Sequence, residues 1–339
     1  MTMMHNGFDL RARWDEAFRA AVVAGLSLPQ KAIPCCWLYD ERGSELFDQI
    51  TRLDEYYPTR TETEILSRSR GEMARFCGKD LLLFEYGAGA GIKTEILIEA
   101  LDNPRLYVPI DIAADTLART ASRIGDRFPE LETLPIVADF NRDFELPGDL
   151  PPGPRTAFFP GSTIGNLNRS ETVAFLSRLR RHVDGHGTAI IGVDLKKDLE
   201  TLLSAYDDGA GVTAAFNLNL LARINRELDG EFPLDRFVHQ ARWNESESAV
   251  EMHLVSLDAR KISVCGQQFA FREGETIHTE SSRKYALDSF GSLATIGGWR
   301  LSRVWKDRKD RFAVLGLEAL ATGLGETDSS LGRSAWRQC

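Results

Sequence analysis

The sequence predicts an α/β fold: a mostly parallel sheet covered by helices, with a second lobe set over one end of it. Three observations predict it. From residue 80 to about 196, short apolar runs alternate with helical segments, the rhythm of a parallel sheet buried on both faces. The first run, LLLFEYGAGAGIKTEIL from Leu81 to Leu97, ends in a glycine-rich turn and passes at once into a helix, as a nucleotide-binding unit does. After residue 196 the rhythm stops, and strand-like pieces of a different character precede two closing strands.

Residues 9–25 carry apolar residues at helical spacing and end in Gly25, and Pro29 and Pro34 keep the helix from continuing. SELFDQI and RTETEILSRSRGEMARF read as helices, the second with Thr59 as its expected N-cap. DLLLFEYG, RLYVPIDI, TLPIVADF, RTAFFPGST and TAIIGVDL read as strands, separated by helices over 93–101, 114–127 and 169–183. Beyond them come helical LETLLSAYDD and AAFNLNLLARINREL, then strand-like FVHQARWNE, AVEMHLVSLD and KISVCGQQFAF. A helix over 282–296 and the strands WRLSRVWKD and RFAVLGLEAL close the chain. Five parallel strands, a helix and a closing pair fit the Rossmann-like, seven-stranded sheet of class I methyltransferases. The expected division puts 60–196 with 286–321 in the cofactor-binding domain and 1–59 with 197–285 in a substrate-binding lobe. The glycine-, serine- and threonine-rich tail 322–339 is expected to be flexible.

Bulk properties narrow the partners. A chain of 339 residues with 43% hydrophobic and 27% charged side chains can bury a large core. Its net charge of −9 argues against tracking a phosphate backbone; the basic tract RLRR, Arg178 to Arg181, reads as a solvated helix face. No nucleic-acid partner is expected. The N-terminus lacks the regions of a signal peptide and no run of apolar residues could span a bilayer, so a cytoplasmic protein without a membrane partner is expected. Five cysteines without a C-x-x-C pair and six histidines without metal-ligand spacing point to no structural metal. His239 and His253 read as structural, and Asp207 and Asp208 as a helix end.

The glycine turn discriminates between cofactors. A dinucleotide fingerprint needs glycine at its sixth position, where this chain has Ile92. That disfavours a nicotinamide-dependent oxidoreductase. The pattern present, Glu85-x-Gly87-x-Gly89-x-Gly91, suits S-adenosylmethionine, which has a sulfonium, an amine and a carboxylate but no phosphate. Glu85 is placed to favour its positive charges and Lys93 to answer its carboxylate. Asp111, ending the second strand, can accept from both ribose hydroxyls. Asp139, ending the third, can accept from the adenine amino group, with Phe140 beside the ring.

These motifs, together with LYDERGSELFDQI, EYYPTRTETEIL, FFPGSTIGN, GVDLKKD, GVTAAFNLNLLARINREL, HQARWNESESAVEMHL and GETIHTESSRKY, carry a resemblance. The chain resembles the histidine-specific N-alpha-methyltransferases of ergothioneine biosynthesis, over most of its length. The resemblance implies trimethylation of the α-amino group of L-histidine to hercynine, the first step of that pathway, with S-adenosylhomocysteine as by-product; a monomer is the working expectation, on which the sequence itself is silent. It puts Gly87, Lys93, Asp111, Asp139 and Phe140 at the cofactor. Tyr56, Asn166 and Tyr206 fall on the amino-acid head group, and Glu280 and Ser282 on the imidazole. Tyr39 and Phe47 line the pocket near the amine, and Met252 lies beside the ring. Tyr39 and Asn166 are the candidates for a catalytic part. The departures are Ala88 and Gly91 in place of hydroxyl residues in the turn, and Ala113 where serine is common.

The residue types suit the chemistry. An amine attacks a methyl group only as a neutral lone pair, so neutral acceptors such as Asn166 and tyrosine hydroxyls hold it better than a fixed anion, and no Lys or Arg is expected beside it. At the far end of the substrate, Glu280 can accept an imidazole N–H. Taken singly, each residue has a plain structural reading: Tyr56 packed under a turn, Asn166 as a helix N-cap, Glu280 as the charge that opens a helix. Three readings compete with histidine methylation: methylation of another aromatic amino acid such as tryptophan, the oxidoreductase, and a non-catalytic nucleotide-binding domain. Glu280 and Met252 favour histidine.

Overall fold

The computed structural model describes residues 7–89 and 91–321, with side chains from Trp14 onward; the tail expected to be flexible lies outside the described residues. In chain order the elements begin with α1 (Gly7–Leu26), β1 (Lys31–Ala32), α2 (Glu41–Ile50), α3 (Tyr57–Cys77), β2 (Leu82–Tyr86), α4 (Ile92–Ile98), β3 (Leu106–Asp111) and α5 (Ala114–Arg127). Then come the two-residue strands β4 (Glu132–Thr133) and β5 (Ile136–Val137), β6 (Arg155–Phe159), α6 (Arg169–His182), β7 (Thr188–Asp194), α7 (Leu199–Ser204) and α8 (Val212–Glu227). The chain continues with β8 (Phe237–Asn244), β9 (Ala249–Ser256), β10 (Arg260–Val264), β11 (Gln267–Phe271), β12 (Thr276–Arg283), α9 (Leu287–Ile296), β13 (Trp299–Lys306) and β14 (Phe312–Ala319).

The central sheet runs β13-β14-β7-β6-β2-β3-β4, with β5 also paired to β3. From β7 to β4 it is parallel, and β14 returns antiparallel between β7 and β13. This is the class I methyltransferase sheet. Its central strands are apolar throughout because both faces are covered: Leu82, Phe84 and Val108 meet α6 and α9 on one side, while Leu83, Tyr107 and Phe158 meet α3, α4 and α5 on the other. A further apolar core joins Phe18 and Leu46 of the N-terminal helices to Phe216 and Leu220 of α8 and to Met252 and Ile277 of a second sheet. That sheet runs β1-β12-β9-β8, so the N-terminal segment and the 197–285 insertion share a strand ladder through β1 and β12.

Four local expectations are corrected. Helix α3 begins before Thr59, with Tyr56 at the N-cap and Pro58 in its first turn, because proline's missing N–H costs nothing there. The third strand is reduced to β4 and β5 on either side of Pro135, which cannot donate to a ladder. KISVCGQQFAF is a hairpin, not one strand: Cys265 and Gly266 turn with φ of 52° and 74°, the left-handed pair that a tight hairpin requires. Residues 282–286 are not helical; β12 runs through Ser282 to Arg283 and α9 starts only at Leu287.

Candidate active site

At the carboxyl ends of β2 and β3 the chain must turn sharply into α4 and α5. Gly87, Gly89 and Gly91 all adopt positive φ, 69°, 44° and 63°, a region closed to most side chains. The Asp111 carboxylate accepts from the Gly89 amide at 3.1 Å and from the Ala113 amide at 2.9 Å, tying the two turns together. Each of its oxygens keeps a lone pair for a ligand hydroxyl. Phe140 lies across the turn: a Cβ built on Gly87 would stand 3.4 Å from its ring. The ring also packs edge-on against Phe159 and Phe175. Asp139 accepts from the Asn141 amide at 2.9 Å and faces Arg142 at 3.4 Å. The three strand ends read from the sequence therefore converge on one edge of the sheet.

Two charged groups there differ from expectation. Glu85 is buried and turned away from the turn, accepting from Thr94 and Tyr107; burial pushes its carboxyl up to about 7. It braces β2 to β3 and α4 and contributes no exposed negative charge. Lys93 is paired with the buried Glu62 of α3 at 2.5 Å, and Glu62 also accepts from the Gly161 amide at 2.8 Å. Glu62 was not singled out in the sequence; its only signal is a carboxylate at an otherwise apolar helix position beside Thr61 and Ile65.

The turn chemistry fits S-adenosylmethionine. A pyrophosphate needs free N–H groups at a helix start, but the Gly89 amide is already given to an anionic side chain. A second carboxylate claims the Gly161 amide. A cationic, phosphate-free nucleoside suits this donor and acceptor set. No described helix is long and apolar enough to cross a membrane.

The second half of the site lies where the insertion sheet meets a short 3-10 turn, Thr163–Asn166. That turn packs so close to β12 that a Cβ on Gly165 would meet the Arg283 carbonyl oxygen at 2.9 Å. Asn166 is not a helix cap: Asn168 caps α6, in a reciprocal box with Glu171. The Asn166 amide is thus free to donate to Glu280 and to the Cys35 sulfur, the latter at 3.7 Å. Glu280 is a strand residue directly opposite Met252 of β9, so the two side chains share a face. Burial pushes the Glu280 carboxyl up to about 7, against the lowering effects of Lys284 and the Asn166 hydrogen bond.

Tyr39, Phe47, Tyr56 and Tyr206 form one aromatic run. Ring centroids are 5.5 Å apart for Tyr39 and Phe47, 6.1 Å for Phe47 and Tyr56, and 6.1 Å for Tyr56 and Tyr206. Phe216, missed in the sequence, packs edge-on to Tyr39 at 5.4 Å. Burial pushes all three phenols above their usual range, with Glu280 adding to the effect at each. They stay protonated and neutral. The Tyr206 hydroxyl shares a 2.6 Å hydrogen bond with Ser282, and His239 supports the Tyr206 carbonyl at 2.8 Å, a structural part as expected. His253 is likewise structural, held between Thr276 and Glu251. Asp208 accepts from the Val212 and Thr213 amides at the start of α8.

The structure therefore gathers all the expected substrate residues, but not at opposite ends. Asn166 touches Glu280, and Tyr206 touches Ser282, so groups expected at the head group and at the ring are interleaved. A cation stands behind the Tyr206–Ser282 pair. Lys284, fully buried, donates to Tyr206 at 2.9 Å and to Ser282 at 2.8 Å, and is paired with Asp194 at 2.8 Å. Strand alternation was the missed signal: 280, 282 and 284 share one face, hidden by reading the segment as a helix start.

Comparison with known proteins finds relatives over most of the chain. A family model described as histidine-specific, SAM-dependent methyltransferase matches residues 18–319. The chain is 40% identical over 305 residues to a histidine N-alpha-methyltransferase of Mycolicibacterium smegmatis, covering 88% of this chain and 94% of that one. It is also 40% identical to the histidine N-alpha-methyltransferase of Mycobacterium tuberculosis, with the same 88% and 94% coverage. A 4-dimethylallyltryptophan N-methyltransferase of Claviceps purpurea is more distant, 24% identical over 90% of this chain and 95% of that one.

Proposed function

This chain belongs to the family of histidine-specific, S-adenosylmethionine-dependent methyltransferases, and from that premise we propose how its residues divide the work of methylating L-histidine on its α-amino group. The product of three methylations is hercynine, the first step toward ergothioneine. The observation that carries the assignment of the ring site is Glu280: a half-buried carboxyl directly opposite Met252, hydrogen-bonded by the Asn166 amide and close enough to three neutral phenols to raise their pKa values. An indole offers one N–H and has no second ring nitrogen, so it leaves a polar group of this pocket unpaired.

Residues 60–196 with 286–321 form the cofactor domain in this reading, and 1–59 with 197–285 the substrate lobe. When bound, S-adenosylmethionine supplies the electrophilic methyl carbon and leaves as S-adenosylhomocysteine. Gly87 gives the cofactor a close backbone approach, Asp111 accepts from its ribose, and Asp139 with Phe140 takes the adenine. Lys93 answers its carboxylate by exchanging Glu62 for it. Asn166, Tyr56 and Tyr206 grip the amino-acid head group, with Tyr39 and Phe47 walling the amine. The amine must shed a proton before each transfer, three in all. Neutral phenols and an amide tolerate both the free lone pair and the growing cation, and alignment of amine and methyl does most of the work. Both ligand sites lie within one chain, so a monomer suffices. The described cysteines are all free thiols, as suits the cytoplasm.

The test begins with calorimetric titration of L-histidine and L-tryptophan with S-adenosylhomocysteine present, then product mass after turnover. Histidine binding, tryptophan silence and a product three methyl groups heavier support the reading. Tryptophan binding in place of histidine overturns the ring-site assignment while leaving the family intact.

A further inference from the structure

Behind the pocket lies a buried ion cluster that the methylation scheme leaves unused. Lys284 comes directly after β12 and its side chain is fully enclosed. An ammonium has three N–H groups, and three acceptors take them: Asp194 at 2.8 Å, Tyr206 at 2.9 Å and Ser282 at 2.8 Å. Asp194 also accepts from Lys197 at 2.6 Å and from the Tyr57 hydroxyl at 2.8 Å. Burial works against the Asp194 carboxylate, yet Lys284 and Lys197 hold it below the usual range.

These contacts, together with the different acidities of the two hydroxyls, set the direction of every hydrogen bond at the Tyr206–Ser282 pair. Each hydroxyl oxygen accepts one hydrogen from Lys284. The 2.6 Å bond between them uses one of their two O–H groups. A phenol is the stronger donor and an aliphatic alcohol the better acceptor, so Tyr206 gives and Ser282 takes. The Ser282 oxygen then receives two hydrogens and has no lone pair left. Its own O–H is the one proton the pair can present to the pocket.

We propose that Lys284 is a positioning residue that makes Ser282 a donor only, so that Ser282 and Glu280 together select a ring with an acceptor nitrogen on one side and an N–H on the other. This rests on the reading that an imidazole lies between Glu280 and Ser282. The neutral imidazole meets both demands with its two different nitrogens. A ring offering N–H to Ser282 meets an oxygen that cannot accept it, whatever its size.

The two isomers of β-pyrrolyl-L-alanine test this, since each keeps the shape of histidine but has a single N–H, at one or the other ring position. They are titrated into the full-length protein with S-adenosylhomocysteine present. Wild type is expected to prefer the isomer whose N–H faces Glu280 by about tenfold or more, the usual cost of an unmatched buried donor. Lys284→Met and Tyr206→Phe each free one lone pair on Ser282. In both, the preference between the isomers is expected to shrink about fivefold or more, whatever the substitution costs the head group that the two isomers share. Lys284→Arg, which still donates, is expected to keep most of the wild-type preference. Asp194 retains Lys197 and Tyr57 in the methionine variant; should that variant still fail to fold, Tyr206→Phe carries the test. A preference unchanged in the folded variants overturns the part given to Lys284 and leaves the ring site standing. Equal binding of both isomers to wild type overturns the ring site itself, and the proposal with it.

Discussion

Replacing Glu280 with glutamine should stabilise the protein and impair it at once. Its carboxyl is pushed from 4.5 up to about 7, chiefly by burial. Between those values the folded protein keeps a proton that the unfolded chain has released, so rising pH costs stability across that window. The gap, 7 − 4.5, is about 2.5 units, and at about 1.4 kcal/mol per unit the loss is roughly 3 kcal/mol by pH 8. Glutamine does not titrate. Urea unfolding of both proteins, monitored by tryptophan fluorescence, should therefore show the variant gaining on wild type by roughly 3 kcal/mol between pH 4.5 and pH 8. Other titrating groups are common to both proteins and drop out of the difference. Over the same substitution the affinity for L-histidine at pH 8 should fall about ten- to a hundredfold, because a charge-assisted acceptor is lost. Stability curves that stay parallel with pH would refute the account of burial. An unchanged histidine affinity would refute Glu280 as the ring acceptor.

Glu85→Gln should show a similar pH-dependent gain, since burial pushes that carboxyl to about 7 as well, but titration should find histidine affinity within about twofold of wild type because Glu85 lies outside the substrate pocket. Asn166→Ala should weaken histidine about tenfold or more and leave S-adenosylhomocysteine almost untouched; calorimetry in which both affinities fall together would mean the two sites are wrongly divided. Gly87→Ala should weaken S-adenosylhomocysteine, because φ at that position is 69° and the new methyl would press to 3.4 Å from Phe140; a strain of about 1–2 kcal/mol should also appear as a lower melting temperature.

Much of this arrangement was legible because three strand ends announce themselves chemically: a glycine turn after β2, Asp111 at the end of β3 and Asp139 just after β5. Those residues meet since parallel strands deliver their carboxyl ends to one edge whatever the rest of the chain does. Around the substrate the local signals were weaker. Tyr39, Phe47 and Tyr56 fit a pocket wall and an apolar core equally well, and in the structure they pack against the apolar cluster, Tyr39 and Phe47 directly on Phe216. Reading Ser282 as a helix start concealed Lys284, because the alternation that puts it with Glu280 and Ser282 exists only on a strand. Glu62 was invisible for another reason. Its partners Lys93 and Gly161 are distant in sequence, and only the fold brings α3 against the ends of β2 and β6.

The buried cluster at Asp194 explains why such a pocket stays in register. Asp194 ends β7 of the central sheet, Tyr57 opens α3, and Lys284 leaves β12 of the second sheet; all three meet with no exposed side-chain charge. Apolar packing alone tolerates small slides between elements, and an ion pair of this kind is weak evidence for stability, since desolvation offsets most of its attraction. Its effect lies in geometry. A slip of one residue in β12 would carry Lys284 to the opposite face, stranding Asp194 and turning Glu280 and Ser282 away from Asn166 and Tyr206. The charges therefore penalise every register but the one that presents the face of β12 carrying Glu280 and Ser282 to the carboxyl edge of the central sheet. Lys284, on which the proposed selection of the ring depends, is thus also one of the three side chains that seat the second sheet against the central one.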